Sequence, residues 1–231
     1  MAAFKKQTLV DYTAVDQQKA SAVQKQLLQA YESAGFFDEA VVKTLEAYLD
    51  EQLKNGSVDI DADLALLKLY LVYPAVAKVD KIASVLVKAV SVLPSSFFSG
   101  ASAVVPESFR EDANVKQILS AGYLLQACRF EDFWTVDVAF ANKVAGFSDA
   151  VRAYILETLS KSHSTISPAF LKAALNVSDA QVKEIVAAEK WTLEGDLIKV
   201  TPNEDNQVRP KKVQENIEFE DVLKVIHTLS R

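Results

Sequence analysis

The stretch Ser164-Thr165-Ile166-Ser167-Pro168-Ala169-Phe170-Leu171-Lys172-Ala173-Ala174-Leu175-Asn176-Val177-Ser178-Asp179-Ala180-Gln181-Val182, continuing through Ile185 and Lys190 to Trp191 and Val200, decides the fold. Ser167 supplies a side-chain cap and Pro168 a φ suited to the first helical position, so a helix opens there. Phe170, Leu171, Ala174 and Leu175 give it one apolar face. Asn176 and Val177 interrupt, after which Ser178 and Gln181 have the spacing of a capping box, flanked by Val177 and Val182 as a hydrophobic staple. Val182, Ile185 and Val186 carry the second helix inward as far as Lys190. Trp191 and Leu193 then alternate into the turn Glu194-Gly195-Asp196 and a return strand, Leu197 to Val200. Helix, turn, helix and short hairpin are the plan of a winged helix.

A helix that enters a major groove needs cations and amides on its outer face, because phosphate neutralisation supplies much of the affinity and base edges demand donors. Here the second helix offers Asp179, Gln181, Lys183, Glu184, Glu189 and Lys190, three acids against two lysines. Such a face repels a duplex about as much as it attracts one. The sequence therefore predicts protein contact and no DNA.

The chain has 231 residues, half of them hydrophobic, with a formal net charge of −6. It is long enough for one large domain or two small ones with an ample core. The charge argues against a general nucleic-acid or anionic-membrane binder. A single cysteine, Cys128, rules out an internal disulfide and suits the reducing cytosol or nucleus. Met1 to Val10 lacks the apolar core of a signal peptide, and no run approaches membrane-spanning length. The expectation is a cytoplasmic protein, with the nucleus also compatible, and no membrane partner.

Before residue 164, low Gly and Pro content and apolar residues at helical spacing predict an almost wholly α region. Val41, Leu45, Tyr48, Leu49 and Leu53 form one stripe. Asp61 reads as the cap of a segment, Leu64 to Tyr73, that is apolar nearly all round and predicted to be the central buried helix, stopped by Pro74. Val79, Ile82, Ala83, Leu86, Val90 and Leu93 trace the next helix, antiparallel to it. Two further hairpins are predicted, residues 15–34 with 41–53 and residues 115–128 with 130–141. Three stacked pairs make a short HEAT-type stack without a sequence repeat. Ser95 to Pro106 is expected to be a surface loop, its Phe97 and Phe98 tucked into the stack or, in the other reading, anchoring a partner. A bridging helix, Phe147 to Leu159, capped by Ser148, leads into the winged helix.

Chemistry-bearing constellations are scarce. Asp59, Asp61 and Asp63 imitate the opening of a calcium loop, but Leu64 stands at the sixth position and Tyr70 at the twelfth. Capping by Asp61 and solvated acids account for the trio. His163, among serines, lacks the elbow and the third orienting group of a nucleophile system and is expected at a helix C-terminus. His227 has no ligand at metal-binding spacing, and Cys128 reads as a small buried hydrophobe. No catalytic, cofactor-binding or metal residue is assigned, and the chain is not expected to be an enzyme.

Several segments in colinear order resemble the subunit K family of eukaryotic translation initiation factor 3. They are Asp61-Ala62-Asp63-Leu64-Ala65-Leu66-Leu67-Lys68-Leu69-Tyr70 ending at Pro74; Gln117-Ile118-Leu119 with Leu124-Leu125, Cys128, Phe130, Phe133 and Trp134; Gly146-Phe147 with Val151-Arg152; Ser178-Asp179 leading to Trp191; and Arg209-Pro210-Lys211-Lys212 with Glu215, Ile217 and Phe219. The likeness spans residues 22 to 227 and leaves residues 1–20 outside. It implies a non-catalytic subunit, mainly α: a HEAT-like helical domain (21–146), a winged helix (147–202), then an extended loop and C-terminal helix (203–231), after a variable extension (1–20). It also implies pairing with subunit L, in a factor that binds the small ribosomal subunit. The alternatives are a small winged-helix subunit of the proteasome lid or signalosome, and a DNA-binding regulator.

The last helix, Ile217 to Leu229, sets Phe219, Val222, Leu223, Ile226 and Leu229 on one side at coiled-coil-like spacing. These are the candidate partner-binding residues, although one apolar stripe serves self-packing equally well. Arg209, Lys211 and Lys212 form the one basic cluster; ribosomal RNA contact and simple solvation are both open to them.

Overall fold

The computed structural model describes residues 3–16, 18, 20–33, 37–137, 141, 143–207 and 218–230. A short strand β1 (Thr8–Leu9) precedes a helical pair, α1 (Ala22–Glu32) and α2 (Glu39–Asn55). Ser21 and Gln24 cap α1 reciprocally, and Gly56, at φ +63°, ends α2 in the left-handed conformation that glycine adopts without strain. Strand β2 (Ser57–Val58) pairs in parallel with β1. Then come α3 (Ile60–Val72), which stops before Pro74, and α4 (Val79–Ser91).

The order of packing differs from simple hairpin stacking. Residues 97–104, expected as a loop, are a helix, α5 (Phe97–Val104), wedged against both α3 and α4. The serines and alanines that suggested a loop are small residues that let this helix approach its neighbours closely. As a result α4, rather than α3, is the central helix: Ile82 to Ser91 are all buried, whereas Lys68, Leu71 and Val72 of α3 face outward.

A single turn, α6 (Glu107–Arg110), leads to α7 (Ala113–Gln126), whose N-terminus is capped by Asp112. The partner helix expected over 130–141 shrinks to one turn, α8 (Phe130–Phe133), and residues 134–137 are not helical. This turn lies between α7 and the C-terminal unit.

Helix α9 (Phe147–Ser162) packs on α4 and bridges to that unit, as predicted. Its cap position is Gly146 at φ +73°, not Ser148. Beyond it lie β3 (Thr165–Ile166), α10 (Pro168–Leu175), α11 (Asp179–Ala188), β4 (Thr192–Glu194) and β5 (Leu197–Lys199). The predicted capping box forms: Gln181 N–H donates to Ser178 Oγ (3.4 Å) and Ser178 N–H to Gln181 Oε1 (2.9 Å). Asn176 turns the chain between the helices at φ +49°. The strands form one antiparallel sheet in the order β3-β5-β4. A last helix, α12 (Phe219–Leu229), completes the described chain.

Being buried on every side, α4 confronts the protein with Lys88, whose side chain is 0% exposed. A buried ammonium is tolerable only if paired. Asp63 on α3 pairs with it, Oδ2 to Nζ at 2.7 Å. Gln52 of α2 accepts from Lys88 Nζ and from the Asp59 N–H (2.8 Å) at Oε1, and donates to Asp63 Oδ1 (3.1 Å). Asp59, next along, caps α3 through the Ala62 N–H (3.2 Å) and accepts from Tyr48 Oη (3.1 Å) and the Tyr12 N–H (2.8 Å). The aspartates expected to be solvated are thus two-thirds interior: Asp59, not Asp61, is the cap, and only Asp61 faces solvent. Burial pushes the Asp63 carboxyl up to about 6, against the pull of Lys88, and lowers the Lys88 ammonium from its usual value.

A carboxyl whose folded value lies above its unfolded 3.8 keeps its proton longer in the fold, so this contribution to stability falls as pH rises from there to about 6. Replacing Lys88 with Met leaves Asp63 buried without its partner. Urea denaturation should then show a loss of roughly 3–5 kcal/mol at pH 8 that shrinks toward pH 5, where Asp63 takes up a proton. A loss independent of pH would contradict the pairing.

Packing is equally tight at Gly122 on α7, where an added Cβ would stand 2.1 Å from Cζ of the Phe98 ring. Gly122→Ala should therefore lower stability by about 1–3 kcal/mol in spite of alanine's better helix propensity. Gly100→Ala, whose Cβ meets Leu64 at an ordinary 3.7 Å, should be neutral or stabilising in the same thermal melt. Equal effects of the two substitutions would refute this account of the α5–α7 contact.

Candidate interaction surfaces

Helix α12 carries the clearest unpartnered surface. Phe219, Val222, Leu223, Ile226 and Leu229 are all exposed, Phe219 at 76% and Leu229 at 81%, and no residue of the helix is buried. The helix begins two residues later than the sequence suggested; Ile217 lies outside the described residues. Val225 adds a further exposed apolar side chain beyond the predicted stripe. Burying side chains of this size stabilises an association by roughly 1.5–3 kcal/mol each before ordering costs. Among the described residues, none covers this stripe closely enough to bury any of its side chains.

Phe97 and Phe98 are not surface anchors. Their rings are fully buried, Phe98 lying edge-on to Tyr123 at 5.5 Å, because α5 delivers both into the core between α3, α4 and α7. Both rings are tucked into the stack, and neither reaches solvent to anchor a partner. Arg209, Lys211 and Lys212 lie outside the described residues.

The outer face of α11 shows Asp179, Gln181, Lys183 and Glu184; Lys190, exposed too, lies past the end of the helix at φ +59°. Asp179 is engaged by Lys172 at 2.8 Å. Glu189, placed on that face by the sequence, is half-buried and accepts the Ala3 N–H at 3.2 Å.

The reactive side chains fall into ordinary surroundings. Cys128 was expected to be buried and is exposed, at φ +58°, because the chain reverses there between α7 and α8. His163 follows the end of α9, as expected, with Nδ1 2.7 Å from Ser162 Oγ and its ring tilted over Phe170. His227 is exposed on α12. Among the described residues, no three His, Cys, Asp or Glu side chains are arranged to hold a metal, and no helix is long and apolar enough to cross a membrane.

Two sets of contacts escaped the sequence reading. Residues 3–12 lie across the fold, from Glu189 beyond α11 to Asp59 before α3. Arg152 on α9 sits between the rings of Phe4 and Trp134, 5.9 and 5.2 Å from their centroids, while its Nε donates to Leu175 O (3.1 Å). Trp134 Nε1 in turn donates to Ala174 O at 2.8 Å. Aromatic residues and an arginine far apart in sequence carry no local signal of such a cluster.

Comparison with known proteins follows the same lines. The sequence model of the CSN8/PSMD8/EIF3K family matches residues 77–212, more than half the chain. Eukaryotic translation initiation factor 3 subunit K of Xenopus laevis is 32% identical over 184 residues, covering 78% of this chain and 84% of that protein. The Drosophila erecta protein of the same name is 30% identical over 185 residues (78% and 83%), and that of Homo sapiens 29% over 187 residues (79% and 86%). With a mainly α architecture, a family match over α4 to the hairpin unit, and relatives of similar length, the chain belongs to the CSN8/PSMD8/EIF3K family, alongside the translation initiation factor 3 K subunits.

Proposed function

We propose that the chain is a non-catalytic scaffold subunit of eukaryotic translation initiation factor 3, acting in the cytoplasm and holding sister subunits, subunit L foremost, within the assembly that binds the small ribosomal subunit. The observation that carries this is α12, an amphipathic helix with its whole apolar stripe in solvent. Such a face is stable in an assembly and a liability alone. The similarity to subunit K of the initiation factor supplies the assembly, and the pairing with subunit L is what the resemblance of the sequence implies.

Protein contact also suits the C-terminal unit, which we read as a winged helix. Its second helix exposes two acids, Asp179 and Glu184, against one lysine, Lys183, so a duplex gains little from it. For Arg209, Lys211 and Lys212 the proposal is solvation, three isolated cations giving little phosphate neutralisation.

The family also takes in proteasome-lid and signalosome subunits, and co-purification separates the readings. Initiation factor subunits should be recovered with the tagged chain; recovery of lid or signalosome subunits instead would sink the proposal. Phe219→Asp with Ile226→Asp should leave the thermal midpoint within about 2 °C, since both positions are exposed, yet abolish that recovery. Retained recovery would remove α12 from the interface.

A further inference from the structure

The segment 3–12 has two ends of different character. Its base is built in: Thr8 and Leu9 pair with Ser57 and Val58, the Val10 N–H donates to Val58 O at 2.9 Å, and the Tyr12 N–H reaches the buried Asp59 carboxylate at 2.8 Å. The Tyr12 ring is buried, edge-on to Tyr48. Its tip is held by ties at the surface: Lys6 Nζ to Glu157 Oε2 (2.6 Å), Gln7 Nε2 to Ala145 O (2.9 Å) and the Ala3 N–H to Glu189 Oε1 (3.2 Å). Ala3 and Phe4 are the tip's apolar contacts with the core, both only partly buried, and Phe4 lies against Arg152. Beneath the tip lies a cavity of about 220 Å³ floored by Ala153 and Leu156 of α9.

We propose that residues 3–7 are a releasable latch on a permanent hinge at residues 8–12, clasping α9 and the end of α11 to the helical stack and uncovering the Ala153–Leu156 face of α9 when lifted. The base joins β2 and the network before α3, whereas the tip joins α9 and Glu189, so the segment spans both halves of the fold. Exposed ion pairs weaken with salt and with loss of either partner; a buried main-chain bond does not. Lifting the tip breaks the first kind and leaves the second.

Trypsin cleavage after Lys5 and Lys6 in the full chain reads the open state directly. Raising salt from about 0.1 M to about 1 M, or replacing Glu157 with Gln, should speed cleavage there by about two- to fivefold while sites at Lys81 and Lys116 stay unchanged. Phe4→Ser should add to the effect, and hydrogen exchange should show the Val10 and Tyr12 amides still protected as those of residues 153–157 become faster. Unaltered cleavage at Lys5 and Lys6 would overturn the latch. So would acceleration in step at Lys81 and Lys116, or loss of protection at Val10 and Tyr12, because the segment would then open only with the whole fold.

Discussion

The pairing of Lys88 with Asp63 inside the helical stack is the constraint on which the remaining packing depends. Helix α4 can serve as the common wall for α2, α3, α5, α7 and α9 only because its one central charge is answered from within. Three elements meet that demand: α3 brings Asp63, α2 brings Gln52, and the turn before α3 brings Asp59. A hydrophobic substitute for such a cluster is often as stable, so its effect lies in register. One turn of slippage between α2 and α3 would leave an ammonium or a carboxylate alone in the core.

The same cluster reaches the start of the chain. Asp59 accepts from Tyr12, so the segment that crosses the fold is anchored by the residue that also caps α3. Interior polar groups thereby fix a surface strap, and the strap touches α9 and the residue after α11. Rigidity in the middle and an uncovered apolar helix at one end suit a part whose work is to be held by others. The exposed stripe of α12 stands in contrast to the core beneath, where side chains of the same kinds are almost wholly enclosed.

Local signals in the sequence were legible and long-range ones were not. Ser167-Pro168, Asn176 and the Ser178–Gln181 box each act within four residues, and α10, α11 and the β4–β5 hairpin stand where they put them; β3, whose Ile166 pairs with Ile198 of β5 from 32 residues away, had no such local signal. The stripe of α12 was legible for the same reason, its period being a property of the helix alone. Residues 97–104 misled because a small-residue helix in a close contact has the composition of a loop; the Phe98–Gly122 fit that reveals it joins positions 24 apart. Asp59 and Asp63 looked solvated because their partners, Gln52 and Lys88, lie on other helices. Cys128 looked buried because its neighbours are apolar, whereas a chain reversal at positive φ turns it outward.

The central claim is that this chain acts by offering helical surfaces to sister polypeptides, α12 above all. Hydrogen exchange on α12, measured in the isolated chain and again in the assembled initiation factor, tests it most directly. The account predicts rapid exchange across residues 219–229 in the free chain and strong protection of the same amides in the assembly. Fast exchange in both states, or protection already complete in the free chain, would contradict it.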